Sequence, residues 1–155
     1  MDHKNLKIEM KNLSMIFDSY SGEKVEVLNN VSIKIRNKEF VVIIGPSGCG
    51  KSTIINLIAG LQLPTSGNIL MDSNIINGKP HRSRGVVFQE DVIFPWRTVI
   101  KNVEYGLELR GVSNEKRRSI AKKYLSVVGL EYAANFFPKE LSGGRRKRVQ
   151  IAAIF

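Results

Sequence analysis

Residues 6–17, LKIEMKNLSMIF, alternate apolar and other side chains, the period of a half-buried strand. Ser21-Gly22-Glu23 reads as a turn. Val31, Ile33 and Ile35 then alternate with Ser32, Lys34 and Arg36, a second strand with one wet face. The alternation stops at Phe40-Val41-Val42-Ile43-Ile44. A run apolar on both faces predicts a central parallel strand covered on both sides. Ile54, Ile55, Leu57, Ile58 and Leu61 give a helical apolar face, Pro64-Thr65-Ser66-Gly67 a turn, and Ile69-Leu70-Met71 and Val86-Val87-Phe88 two short strands. Val99, Val103 and Leu107 recur at i, i+4, i+8, a helix with Thr98 as N-cap and Gly111 as its stop. A second helix runs from about Asn114 to Val128, buries Ile120, Tyr124 and Val128, and ends at Gly129. Its other face carries Lys116, Arg117, Arg118, Lys122 and Lys123. A third helix starts at Arg145 and runs to Phe155. No internal repeat or low-complexity segment is present.

Composition narrows the class. The chain has 155 residues, the size of one domain, and a net charge of +10. That excess predicts a polyanionic partner. It is uneven: residues 115–148 hold ten basic groups against three acidic ones. No apolar run approaches membrane-spanning length, and the N-terminus lacks a signal-peptide apolar region. One cysteine cannot form an internal disulfide. No Cys/His cluster suggests zinc, and His3 and His81 lie far apart. The expected compartment is reduced and cytoplasmic.

Gly45-Pro46-Ser47-Gly48-Cys49-Gly50-Lys51-Ser52-Thr53 changes the picture more than the charge does. It contains G-x-x-x-x-G-K-[ST] in full, after an apolar strand and before a helix. Gly45, Gly48 and Gly50 let the backbone turn tightly and expose successive N–H groups. Those groups form a concave anion site at a helix N-terminus, where the dipole favours negative charge. Lys51 can bridge β- and γ-phosphate oxygens, the Ser52 hydroxyl can ligate Mg²⁺, and Thr53 can add a hydroxyl contact to phosphate. Cys49 reads as a small residue between glycines that a bound nucleotide would shield. The fold class is α/β: a phosphate-loop NTPase core with an N-terminal antiparallel β subdomain, an inserted helical lobe and an incomplete parallel sheet.

A phosphate loop alone does not separate kinases, GTPases, helicases and transporter ATPases. Here Gln89 follows the strand Val86-Val87-Phe88, and Leu141-Ser142-Gly143-Gly144 opens the last helix. The order phosphate loop, Gln, LSGG resembles the ATP-binding cassette (ABC) family over essentially the whole chain. IIGPSGCGKST, PTSG and VVFQE are similar to bacterial importer ATPases, and FPWRTVIKNVEYGLELRG, with Pro95-Trp96, resembles the nitrate/sulfonate/taurine branch.

The resemblance implies roles residue by residue. Phe17 would stack on adenine. Gln89 would meet Mg²⁺ and the attacking water, so that Ser52 and Gln89 form the metal set. Ser142, Gly143 and Gly144 would contact, in trans, the γ-phosphate held by a second copy, with Ser142 capping the helix. Arg145 stands where many members carry Gln or Met. The cofactors would be ATP and Mg²⁺. The partners would be a second copy or a paired ATPase subunit, a transmembrane permease and, indirectly, a substrate-binding protein, with no nucleic acid. The location would be the inner face of the cell membrane. The chain divides into residues 1–88 (β subdomain and phosphate-loop core), 89–140 (helical lobe) and 141–155 (signature and the start of its helix).

The family also uses an Asp that holds Mg²⁺ and a Glu that polarises water at the end of an apolar strand after LSGG, then a His that senses the γ-phosphate. The eleven residues after Gly144 contain no Asp, Glu or His. The chain therefore resembles the N-terminal part of such an ATPase and is not expected to turn over ATP alone. Two alternatives stand beside the importer reading: a nucleotide-binding remnant that does not hydrolyse, and a soluble ABC ATPase acting on nucleic acid. The second would show salt-dependent DNA or RNA binding.

Overall fold

The computed structural model describes residues 5–19, 21–76 and 78–155; His3 falls outside them. The chain forms two compact units, Met1–Arg84 and Gly85–Phe155. Among the described residues no helix is long and apolar enough to cross a membrane.

The first unit is built on an antiparallel sheet of order β2-β1-β3-β4. Its strands are β1 (Leu6–Asp18), β2 (Lys24–Arg36), β3 (Ser66–Met71) and β4 (Asn74–Ile75). β1 is the central strand: Ile8 faces Ile35 and Phe17 faces Val25 on one side, and Met10 faces Ile69 on the other. Strict alternation would send Met10 and Leu13 to opposite faces, yet both are buried. A bulge resolves this. Asn12 takes φ 48°, and its N–H donates to Ser32 Oγ at 2.9 Å. A matching irregularity in β2 places Asn30 at φ 49°, its N–H donating to Ser14 Oγ at 2.9 Å. Asparagine is among the few residues that tolerate that region. Met10, Leu13, Met15, Leu28 and Ile69 then form one core with Ile54 and Leu57 of helix α1 (Lys51–Ala59). α1 ends on Gly60 at φ 77°. The Gly60 N–H reaches Leu57 O and the Leu61 N–H reaches Asn56 O, the paired bonds that satisfy terminal carbonyls. Ile55 and Leu61, expected on the apolar face, are exposed.

Two expected strands do not form. Phe40–Ile44 and Val86–Phe88 carry no ladder, and Phe40 and Ile44 are 91% and 89% exposed. A parallel strand exists only as a member of a ladder, and among the described residues neither segment has a pairing partner.

The second unit packs α2 (Val99–Leu109), α3 (Asn114–Val127) and α4 (Gly143–Ile154), with 3₁₀ turns at Glu131–Ala133 and Pro138–Glu140. Gly111 and Gly129, at φ 71° and 68°, follow the ends of α2 and α3 as the pattern predicts. Val99, Ile100, Val103, Ala121, Leu125 and Val149 are central to its core. The buried centre of α3 is thus Ala121 and Leu125. Ile120, Tyr124 and Val128, the expected face, are half-buried. The two sets lie one residue apart around the helix, and the small Ala121 allows the closest approach of a neighbouring helix. Tyr124 instead stacks on Phe155, with centroids 5.0 Å apart.

Glu104 on α2 is fully buried and meets Lys101 at 2.9 Å, Arg118 at 3.3 Å and Arg117 at 3.9 Å. A buried carboxylate needs such partners. Arg117 and Arg118, expected among the cations of the outer basic face, therefore clasp α3 to α2.

Candidate nucleotide site and signature helix

In the first unit the chain from Gly45 to Ser52 turns at Gly48 (φ 80°) and Gly50 (φ 91°) before entering α1. Gly50 is the N-cap residue. The first helical bond beyond it runs from Ile54 N–H to Gly50 O at 3.0 Å. The N–H groups of Lys51, Ser52 and Thr53 therefore have no intrahelical acceptor. The Lys51 ammonium folds back over the loop and donates to Gly45 O at 2.9 Å and Pro46 O at 2.5 Å. Cys49 Sγ lies 3.6 Å from it. Ser47 and Ser52 are exposed, and Thr53 is half-buried on the same turn. Orphan N–H groups, a positive helix end and an ammonium converging on one turn suit the oxygens of a phosphate chain. The Ser52 hydroxyl beside them is a fitting oxygen ligand for Mg²⁺.

β2 lies beneath this loop. A Cβ on Gly50 would come within 2.8 Å of Leu28 Cδ2 and 3.1 Å of Val27 O. Phe17 pairs with Val25 on the same stretch of β2, with its ring half-buried against the core. Phe17 and the phosphate loop thus share one short segment, Val25–Leu28, although 33 positions separate Phe17 from Gly50 in the chain.

In the second unit Ser142 occupies the N-cap of α4 but makes no side-chain cap bond. The helix opens with Arg146 N–H donating to Ser142 O at 3.0 Å, leaving the N–H groups of Gly143, Gly144 and Arg145 without intrahelical acceptors. Neither glycine has positive φ. A Cβ on Gly144 would meet nothing within 4 Å, and one on Gly143 only Arg146 Nη2 at 3.9 Å. Neither backbone strain nor internal packing accounts for glycine at these positions.

Gln89 is exposed, beside a shallow depression lined by Phe88, Glu90 and Val92. Its segment is laced to α4. Lys147 donates to Phe88 O at 3.0 Å and Gln89 O at 2.6 Å. Gln150 donates to Glu90 O at 3.1 Å and Asp91 Oδ1 at 3.2 Å. Arg146 Nε donates to Asp91 Oδ2 at 2.6 Å. The anion beside Arg146 and Lys147 is the Asp91 carboxylate. Arg148 is used elsewhere, on Val128 O at 2.9 Å, and Arg145 lies over the Tyr132 ring at 5.8 Å.

The Arg146 hydrogen bond, with Lys147 adding and partial burial opposing, holds the Asp91 carboxyl below its ordinary value of 3.8. A carboxyl lowered on folding stabilises the fold above its ordinary pKa, and that contribution disappears as pH falls through the lowered value. The 88–91 segment is therefore expected to stay on α4 at neutral pH and to loosen only below pH ~4. The Asp91 carboxyl carbon shift, followed by NMR, checks this; a midpoint above the ordinary value would contradict it.

Asn102 organises the segment that follows. It is buried, its two side-chain N–H groups are shared among Phe94 O, Arg97 O and Thr98 O at 3.0–3.1 Å, and its Oδ1 accepts from Phe94 N–H at 2.6 Å. Thr98 is the N-cap residue of α2 without a side-chain cap bond. Phe94 meets Trp96 and Tyr105 at centroid distances of 5.4 and 4.6 Å. Arg97 covers the Tyr105 ring and pairs with Glu108 at 2.8 Å. Trp96 itself is 71% exposed. Asn102→Ala strands several buried polar groups, so a loss of ~2–4 kcal/mol is expected. Chemical denaturation followed by the fluorescence of Trp96, the chain's single tryptophan, measures it. A loss no larger than a surface substitution gives would refute the assignment.

Asp91, Asn102 and Gln150 are not legible in the sequence as site residues. For Asn102 there is one signal, a polar residue on the Val99–Val103 stripe. For Asp91 there is none, because its partners lie more than fifty positions away.

The ABC transporter family model matches residues 28–155. The taurine import ATP-binding protein TauB of Yersinia pestis is 47% identical over 143 residues, which is 92% of this chain and 55% of that protein. The nitrate import ATP-binding protein NrtD of Synechocystis is 46% identical over 147 residues, 95% of this chain and 54% of that protein. The chain thus spans about half the length of the curated relatives it matches. Among solved structures, the dimeric ATP-binding cassette MJ0796 in a post-hydrolysis state with ADP and Pi superposes with a TM-score of 0.85 at 36% identity, covering 96% of this chain and 68% of that one. The complete phosphate loop, the Gln89 segment and the LSGG-capped helix sit within a match of this extent, and the chain belongs to the ABC transporter family.

Proposed function

We propose that this chain is the nucleotide-binding part of an ATP-hydrolysing subunit that powers a membrane importer, with a substrate of the nitrate, sulfonate or taurine type. The observation that carries the reading is the phosphate loop: Gly50 at φ 91° caps α1, unpaired N–H groups follow it, and the Lys51 ammonium lies across the turn. In this reading Gly45, Pro46, Ser47, Gly48, Cys49, Gly50, Lys51, Ser52 and Thr53 cradle the phosphates, and Phe17 stacks on adenine. Ser52 and Gln89 face Mg²⁺. Ser142, Gly143 and Gly144 reach the phosphate of a second copy. The open space around Gly144 supports the last role, since glycine leaves backbone N–H groups free to meet something from outside. The division into residues 1–88, 89–140 and 141–155 belongs to the same proposal.

The relatives named for taurine and nitrate import support the importer type. The proposed partners are a second or paired ATPase subunit, a permease and, through it, a substrate-binding protein. The proposed location is the inner face of the cell membrane. Exposed Trp96, held up by Asn102, suits a permease contact. The nucleic-acid alternative loses ground. Arg146 and Lys147 are engaged by Asp91 and loop carbonyls, and Arg117 and Arg118 by Glu104.

Calorimetric titration of the chain with ATP, with and without Mg²⁺, tests the central claim. Saturable binding strengthened by Mg²⁺ is expected. Absence of binding, or tight salt-dependent binding to DNA instead, would refute it.

A further inference from the structure

α4 holds four consecutive residues, Phe88 to Asp91, and it does so with side chains from its first two turns. Lys147 takes the first two carbonyls, Gln150 the third carbonyl and one Asp91 oxygen, and Arg146 the other Asp91 oxygen. A solvated basic face would need none of these bonds. Gln150 is 4% exposed, and its Oε1 is buried without a partner. Burying an amide at that cost is uncommon unless its other end is needed. Here the other end grips the loop. The Arg146–Asp91 bond is charge-assisted and short, the strong class of hydrogen bond.

We infer that Asp91 and Gln150 are positioning residues. With Arg146 and Lys147 they clamp the Phe88–Asp91 segment onto the LSGG helix, so that Gln89 and LSGG move as one body. A shift of Gln89 then displaces the N-terminus of α4, because the backbone on both sides of Gln89 is fastened to that helix. The coupling rests on the proposed contact of Gln89 with Mg²⁺ and water. The clamp itself does not.

The test is hydrogen exchange of the 155-residue chain, with and without MgATP, read on peptides covering residues 86–92 and 143–150. In the unaltered chain MgATP is expected to change both peptides together. In the double variant Asp91→Asn, Gln150→Leu, nucleotide-free exchange of 86–92 is expected to rise about tenfold, and MgATP then moves that peptide alone. Peptides covering α2 and α3 should keep their exchange in the double variant, which separates loss of the clamp from loss of the fold. Trp96 fluorescence confirms that the variant is folded. Unchanged 86–92 exchange in the double variant overturns the clamp, as does a rise that the α2 and α3 peptides share. A joint response that survives in the double variant overturns the coupling, as does bound MgATP that moves neither peptide of the unaltered chain. If the unaltered chain binds no MgATP, the nucleotide reading fails, and the nucleotide-free comparison still decides the clamp.

Discussion

Lys51→Ala is expected to weaken MgATP binding by at least ~100-fold while costing the fold only ~1–3 kcal/mol. The ammonium now donates to two backbone carbonyls, Gly45 O and Pro46 O. A phosphate oxygen is a stronger acceptor than a neutral carbonyl, because it carries charge. Hydrogen bonds between charged groups contribute about 1.5–3 kcal/mol each. Two such bonds correspond to ~3–6 kcal/mol, and each 1.4 kcal/mol is a factor of about ten in affinity. The bonds within the loop lie at an exposed turn, where removing them costs only ~0.5–1.5 kcal/mol apiece. Calorimetry and thermal melting on the same preparations separate the effects. A variant that binds MgATP within about threefold of the parent, or one that fails to fold, would overturn this role for Lys51.

Gly50→Ala should damage the fold itself. Two independent penalties meet there. Alanine in the left-handed region costs ~1–2 kcal/mol. The new Cβ would also lie 2.8 Å from Leu28 Cδ2 and 3.1 Å from Val27 Cγ1 and Val27 O. Leu28 can shift, but the Val27 carbonyl belongs to the β2 backbone. Forcing an extra methyl into such a site costs ~1–3 kcal/mol. The sum, ~2–5 kcal/mol, is a large share of the ~5–15 kcal/mol that holds a typical domain together. Gly48→Ala is the internal control. Its φ of 80° imposes the same backbone penalty, but its Cβ would meet nothing within 4 Å. Denaturation midpoints should therefore rank parent, then Gly48→Ala, then Gly50→Ala. Equal losses at the two sites would show that the contact with β2 carries no cost.

That control also shows where reading a motif stops. Gly50 is a fixed glycine of G-x-x-x-x-G-K-[ST] and Gly48 fills one of its free positions, yet both take positive φ. Only the fold reveals that one faces open space and the other rests on a strand more than twenty positions earlier in the chain. The pairs formed by Phe17 with Val25 and by Gly50 with Leu28 have the same character. Each residue was identifiable, and their shared neighbour on β2 was not.

The elements that could be read directly are those whose cause is local. β1 outside its bulge and the Val31–Arg36 part of β2 follow from period-two alternation, and α2 and α3 end at Gly111 and Gly129 because glycine accepts a positive φ at low cost. The phosphate loop is legible from nine residues, because glycine freedom, a lysine and a hydroxyl act within one turn. The remaining features depend on neighbours that sequence pattern does not name. Phe40–Ile44 states a demand for burial, but a ladder needs a second strand, and none lies beside it among the described residues. The buried face of α3 is set by how closely Ala121 lets another helix approach. The Asp91 clamp runs across more than fifty positions and largely to backbone carbonyls, which every residue carries. Bonds of that kind leave no trace in residue type, so folding alone could join Gln89 to the LSGG helix.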